Sequence, residues 1–278
     1  MRFALTDEQR QFAASLHDAL SHSAKWPDLG LTDLLESGAG LVDLVVAFEE
    51  LGHHAVPGPT IESIAVLPTL GFGTDQVGTL SFPPHVPYAL DADAAELVLT
   101  VEGDSVWVAE AVGPALSSVD PSRRLFATKP VRELASGVDV ERAFNLGALA
   151  CAAQLIGAGR AMLDLTVGHA KQRTQFGRPI GAFQAVKHQL ADVLVGLELA
   201  RPLLYGAAIT GVASDISAAK VAATLAADRA ATAALQVHGA IGYTQEYELA
   251  RFLTRVRALR SSWGTPAVHR AAVLLAGL

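Results

Sequence analysis

Two stretches of this 278-residue chain carry side chains suited to an anionic, nucleotide-like ligand. The first is Arg173-Thr174-Gln175-Phe176-Gly177-Arg178-Pro179-Ile180-Gly181-Ala182-Phe183-Gln184, set between two long apolar runs. An arginine fork, loop amides and the positive end of a following helix all favour a phosphate or pyrophosphate. The same residues also suit a plain helix hairpin whose arginine caps carbonyls, and the loop alone leaves both open. The second stretch is Gln236-Val237-His238-Gly239-Ala240-Ile241-Gly242-Tyr243-Thr244, a glycine-rich turn in which backbone can approach a ligand closely. It closes an alanine-rich run from Ala218 to Leu235.

The elements that must position these residues follow from periodicity and punctuation. Gly177, Pro179 and Gly181 break one helix and set the entry to the next, so Arg173, Gln175, Phe176 and Gln184 gather at a helix–loop–helix junction. Helices are predicted from Leu146 to Ala170, Phe183 to about Ala208, Ser214 to Val237, Tyr247 to Leu259 and Pro266 to Leu278. Thr265 caps the last of these, with Pro266 in its first turn. Their apolar faces argue a C-terminal four-helix bundle. At the other end, Thr6 and Gln9 form a capping box before Phe12, Leu16 and Leu20, and Leu41 to Gly52 reads as a second helix.

Between them, Glu96 to Val101 and Ser105 to Ala109 flank Glu102-Gly103-Asp104 as strand, turn and strand. The expected architecture is therefore mostly α with a small β domain. The divisions fall at 1–74 for the N-terminal helices, 75–140 for the short β domain and 141–278 for the bundle.

With 51% hydrophobic residues the chain can bury a substantial core, and a net charge of −7 with no long basic run argues against nucleic acid or an anionic membrane as a main partner. Cys151, alone and among alanines, is expected in the core, with a reducing, cytoplasmic compartment as the default. The polar N-terminus shows no signal peptide, and no apolar run is expected to span a bilayer. His53 and His54 suggest a metal, yet no second ligand pair stands at a useful spacing, so helix-end histidines are expected. Trp107 falls within a strand, where packing is its expected role.

Taken together, R-T-x-F-G-x-x-x-x-x-x-Q and Q-x-H-G-x-x-G-Y resemble the C-terminal helical domain of acyl-CoA dehydrogenases, from about Asn145 onward. Phe48-Glu49-Glu50-Leu51-Gly52 followed by Pro57-Gly58-Pro59 looks like the N-terminal helical domain of the same family. That family desaturates an acyl-CoA thioester: a carboxylate takes the α-proton while the β-hydrogen leaves as hydride to FAD. The base is indispensable, because the α-carbon is a weak acid even with its carbonyl polarised.

By resemblance, the base belongs just before the Gly-Thr of a loop near the C-terminus, where this chain has Trp263, or at the start of the first C-terminal helix, where it has Gly147 and Ala148. The family's Ser/Thr stretch facing the flavin ring is not found in the shortened β domain. The resemblance therefore implies a non-catalytic subunit of a heteromeric, sterol-degradation type enzyme. Its FAD would be shared with a homologous catalytic partner, and its acyl-CoA would be bulky or steroid-derived. Arg173 would meet the pyrophosphate, Gln175, Phe176 and Gln184 the nucleotide, and Gln236 with Gly239 the adenosine end. Two alternatives remain at this point: a homomeric dehydrogenase using another acid such as Glu246 or Glu248, and a flavin-free structural homologue.

Overall fold

The fold starts on a cap. Thr6 accepts a hydrogen bond from the Gln9 amide while the Gln9 side chain accepts from the Thr6 amide, and this opens α1 (Asp7–Ser21). A computed structural model describes residues 4–73 and 76–277. The boundary expected at 74/75 and the last residue of the C-terminal helix, Leu278, lie outside the described residues. Leu16 and Leu20 bury one face of α1 against α2 (Leu41–His53), which is itself buried along nearly all its length. A π-helical turn, Glu62–Val66, runs into the single turn α3 (Leu67–Thr69) and leads to the sheet.

Five strands follow: β1 (Gly78–Ser81), β2 (Ala89–Leu90), β3 (Leu97–Glu102), β4 (Ser105–Ser117) and β5 (Arg124–Ala135). Their order is β1-β3-β4-β5-β2, with β1 parallel to β3 and the other pairs antiparallel. The expected β3–β4 hairpin is present, turning through Gly103 in a left-handed conformation that a two-residue loop favours. β4 runs on to Ser117 instead of ending at Ala109, paired with β5 across three register shifts. From Glu110 onward β4 is exposed, so the apolar alternation that marks a half-buried strand is missing from its outer half. Trp107 is half-buried, and its indole N–H has no partner among the described residues.

The bundle comprises α4 (Val140–Gln172), α5 (Gln184–Thr210), α6 (Ala213–His238), α7 (Leu249–Leu259) and α8 (Pro266–Ala276). α4 begins earlier than the expected Leu146, because the Asp139 side chain accepts from the Arg142 amide and caps it there. Thr265 caps α8 as expected, accepting from the Val268 amide. α4 is the axis: it packs against α2, α5, α6 and α7. Where α2 crosses it, a Cβ added to Gly52 or Gly157 would come well under 3.0 Å from the facing backbone, so only glycine permits the approach. Cys151 lies on this axis, fully buried and unpaired with another cysteine, as expected.

The expectation that no apolar run could span a bilayer needs correction. α4 and α5 both have the length and apolar composition of a span. In α4 that composition serves the core, with 89% of its most apolar window buried; in α5 only 39% is buried. Val195, Leu199 and Leu203 accordingly form an exposed apolar stripe along α5.

Candidate functional site

The junction after α4 is a small hairpin where a simple loop was expected. Thr174–Gln175 (β6) pairs with Arg178–Pro179 (β7), and the turn residues Phe176 and Gly177 both have positive φ, 53° and 78°. That is the geometry two-residue hairpin turns require, and it costs Phe176 backbone strain that a glycine would not have. Phe176 is 91% exposed, its ring meeting Phe183 edge-on at 6.1 Å, while Arg178 lies 4.1 Å over the Phe183 ring.

Arg173 is exposed at the end of α4, its amide donating to the His169 carbonyl and its own carbonyl accepting from Ile180. Among the described residues no carboxylate pairs with its guanidinium. Gln184 is the exposed first residue of α5, whose opening amides have no side-chain cap.

The second motif meets the first at this end of the bundle. The His169 ring stacks on His238 with centroids 4.3 Å apart, and Gln189 donates to Gln236 at 2.9 Å. Burial, His238 and Arg173 together lower the His169 pKa, which places the arginine's charge in the same patch. Gly239 takes φ 63° and ψ −139°, a conformation essentially reserved for glycine, and so turns the chain sharply out of α6. His238 belongs to the same motif, and the sequence alone assigns it no role. It is 6% exposed, with Nδ1 at 2.8 Å from the Ala234 carbonyl and Nε2 without a partner among the described residues. Its place one residue before the Gly239 turn was the available signal.

Gly147 and Trp263 lie near the opposite end of α4, and they touch. The Trp263 side chain is 1% exposed, and a Cβ on Gly147 would fall under 3.0 Å from the indole ring. Phe82 meets the indole edge-on at 5.9 Å, Phe144 lies at 6.3 Å, and His269 stacks on Phe144 at 6.0 Å. The Trp263 backbone is held at φ 56° with its carbonyl 2.8 Å from His269 Nε2, and Ser217 Oγ lies 3.0 Å from His269 Nδ1. The loop's approach is pinned as well: buried Lys220 Nζ donates to the Leu259 carbonyl at 3.0 Å, and Cys151 Sγ lies 3.3 Å from the same oxygen. Burial lowers the Lys220 pKa and raises that of Cys151.

One carboxyl beside this cluster was missed in the sequence. Glu62 is 3% exposed in the π-helical turn; burial raises its pKa, against the opposing effects of Arg123 and a hydrogen bond with Trp263. Nothing in the local sequence marks it, since its burial depends on segments distant in the chain. Glu246 and Glu248, the alternative acids, are exposed, with Glu248 paired to Arg251 at 2.8 Å. The nearby cleft of about 440 Å³, lined in part by His85, Tyr88, Arg123, Arg257 and Ser261, has no carboxylate in its lining. In the sheet, Ser81 Oγ lies 2.7 Å from Thr100 Oγ1 and 2.6 Å from Thr128 Oγ1, so these hydroxyls satisfy one another.

Residues 137–277 match the family described as acyl-CoA dehydrogenase, C-terminal domain. The acyl-CoA dehydrogenase IpdE2 of Mycolicibacterium smegmatis is 31% identical over 243 residues, covering 83% of this chain and 77% of that one. Among solved structures, the ChsE4–ChsE5 complex from Mycobacterium tuberculosis aligns with a TM-score of 0.82 at 19% identity over 100% of both chains. A Tcur3481–Tcur3483 steroid acyl-CoA dehydrogenase variant aligns with a TM-score of 0.81 at 20% identity over 97% of both. The mostly helical fold with a small sheet, the two motifs and these matches agree: the chain belongs to the acyl-CoA dehydrogenase family.

Proposed function

We propose that this chain is a non-catalytic subunit of a heteromeric acyl-CoA dehydrogenase, holding the nucleotide half of an FAD whose ring lies in a homologous catalytic partner. The observation that carries this is the contact between Trp263 and Gly147. The two positions at which the resemblance places alternative bases converge in space, neither bears a carboxyl group, and an indole occupies the volume between them. An indole carries no titratable group that could take an α-proton near neutral pH.

FAD, when bound, supplies the acceptor for the hydride leaving the β-carbon. The residues of the hairpin end fit its nucleotide half: Arg173 is an exposed cation without a carboxylate partner, and the uncapped start of α5 adds amide donors. Arg173 would hold the pyrophosphate, Gln175, Phe176 and Gln184 the nucleotide, and Gln236 with Gly239 the adenosine end. The flavin-ring half fits this chain poorly, because Trp263 with Phe82 and Phe144 packs the space above Gly147 and the Ser81, Thr100 and Thr128 hydroxyls bond one another. This chain's own part is then to bind and orient, leaving proton abstraction to its partner.

The exposed stripe on α5 supports burial against a partner subunit, as do the exposed Leu274 and Leu275 of α8. The similarity to a two-component complex and to a steroid enzyme supports a heteromer acting on a bulky, steroid-like acyl group. The test is turnover: the purified chain, given FAD, an artificial electron acceptor and a panel of straight-chain and steroid-derived acyl-CoA thioesters, is expected to be inactive until the partner is added. Trp263→Glu alone is expected to stay inactive. Turnover by either form without the partner would overturn the proposal.

A further inference from the structure

His53 and His54 stand at the end of α2 without an obvious companion in the sequence, but the fold supplies one from another helix. His17 of α1 packs beside them, its ring centroid 4.7 Å from His54 and 5.2 Å from His53. Glu50 is four residues before His54 on the same face of α2, and its Oε2 lies 2.9 Å from His17 Nδ1. His54 Nε2 lies 3.3 Å from that same Nδ1. The three groups each offer one ligand atom, and these atoms all fall within 4.8 Å of one another. The set opens onto a cleft of about 530 Å³ that is also lined by His53, Asp164 and His169. His53 and His54 do end α2, as expected, and the fold adds His17 beside them.

We propose that His17, Glu50 and His54 form a binding site for a divalent transition-metal ion of the zinc class, which would clamp α1 to the end of α2. Hydrogen bonding alone serves this geometry poorly. One proton on His17 Nδ1 satisfies Glu50 and leaves the His54 nitrogen facing an atom that has no second proton to give. A tetrahedral ion with bonds of about 2.1 Å sets its ligand atoms about 3.4 Å apart, a spacing between the 2.9 and 3.3 Å found at His17 Nδ1 and the 4.8 Å within which all three ligand atoms fall.

Two neutral imidazoles and one carboxylate are a ligand set zinc accepts, and three protein ligands leave a position open to the cleft. The other Glu50 oxygen lies 3.7 Å from Arg160 Nη1, which fixes the carboxylate's orientation. Arg160 and Arg251 nearby oppose a cation, so micromolar affinity is expected in place of the tighter grip of a closed four-ligand site.

The protein, free of any histidine tag and in the assembly in which it purifies, is stripped with chelator. It is then titrated with Zn²⁺ by calorimetry and with Co²⁺ by visible absorption. One ion per chain is expected, with a rise in Tm on loading. His17→Ala and His54→Ala are each expected to weaken binding at least ~10-fold and to abolish the rise. His22→Ala, at an exposed histidine that caps the end of the same helix, should change neither. Should His17→Ala not fold, His54→Gln carries the same comparison. Failure to bind one ion per chain, or affinity that survives loss of His17 or His54, would overturn the proposal.

Discussion

Gly147 and Arg173 mark opposite ends of one helix, 33 residues long, separated by roughly 40 Å along its axis. At the first end Trp263 is sealed between aromatic rings and the bare backbone of Gly147, with the buried Glu62 carboxyl beside it. At the second end an arginine without a carboxylate partner, two exposed glutamines and a 91%-exposed phenylalanine stand around an uncapped helix start. Polar groups left unsatisfied at a surface are cheap to a free chain and available to a ligand. A packed aromatic cluster offers stability and no chemistry. The contrast is what the proposed division, nucleotide contacts kept and the reacting centre left to a partner, requires.

Breaking the packed end should produce the largest effect on stability and little on cofactor affinity. Trp263→Ala leaves a cavity among Phe82, Phe144 and His269 and is expected to cost about 3–5 kcal/mol, read as a lowered denaturant midpoint. Gly147→Ala forces the indole aside and is expected to cost about 1–3 kcal/mol. If either variant unfolds at the wild-type midpoint, the tight packing of this end is wrong.

Arg173→Ala should do the converse. Stability is expected to stay within about 0.5 kcal/mol of wild type, because the side chain is exposed, while FAD retention in the assembled complex weakens by about 1.5–3 kcal/mol. Unchanged flavin content after dialysis of a correctly assembled variant would remove the functional half of the comparison.

Acid sharpens the contrast further. Burial lowers the His269 pKa below 6.5, outweighing the Trp263 carbonyl that favours the charged ring, with Lys220 and His85 adding to the depression. The folded state therefore binds this proton less readily than the unfolded chain, so the contribution is intact above pH 6.5 and declines as pH falls below it. His269→Gln should flatten the stability–pH curve in that window, whereas Arg173→Ala should leave its shape unchanged. Identical slopes for His269→Gln and wild type would show that the packed end does not depend on neutral His269.

What could be read from the sequence was whatever local chemistry decides. Thr6 with Gln9 and Thr265 with Pro266 mark helix starts by caps that work within one turn, and both caps form. Asp139 was an equally local signal, and overlooking it put the start of α4 at Leu146 instead of Val140. The hairpin at Phe176-Gly177 stayed hidden because phenylalanine is a poor marker of positive φ. Arg173 and Gln236 were identified from motif spacing, and the fold gathers their neighbours through His169–His238 and Gln189–Gln236. Glu62 and the His17–Glu50–His54 group were illegible, since their meaning arises only where segments distant in sequence come together.

The central claim is that this chain lends nucleotide contacts to an FAD whose ring it does not hold. It is tested most directly by the flavin-to-chain ratio, taken from absorbance beside light-scattering mass on a sizing column. The chain co-expressed with its homologous partner should give a stable yellow complex with fewer FAD molecules than chains, and the chain alone should carry none. A homo-oligomer with one FAD per chain, or a well-behaved flavin-free monomer that the partner leaves unchanged, would contradict it.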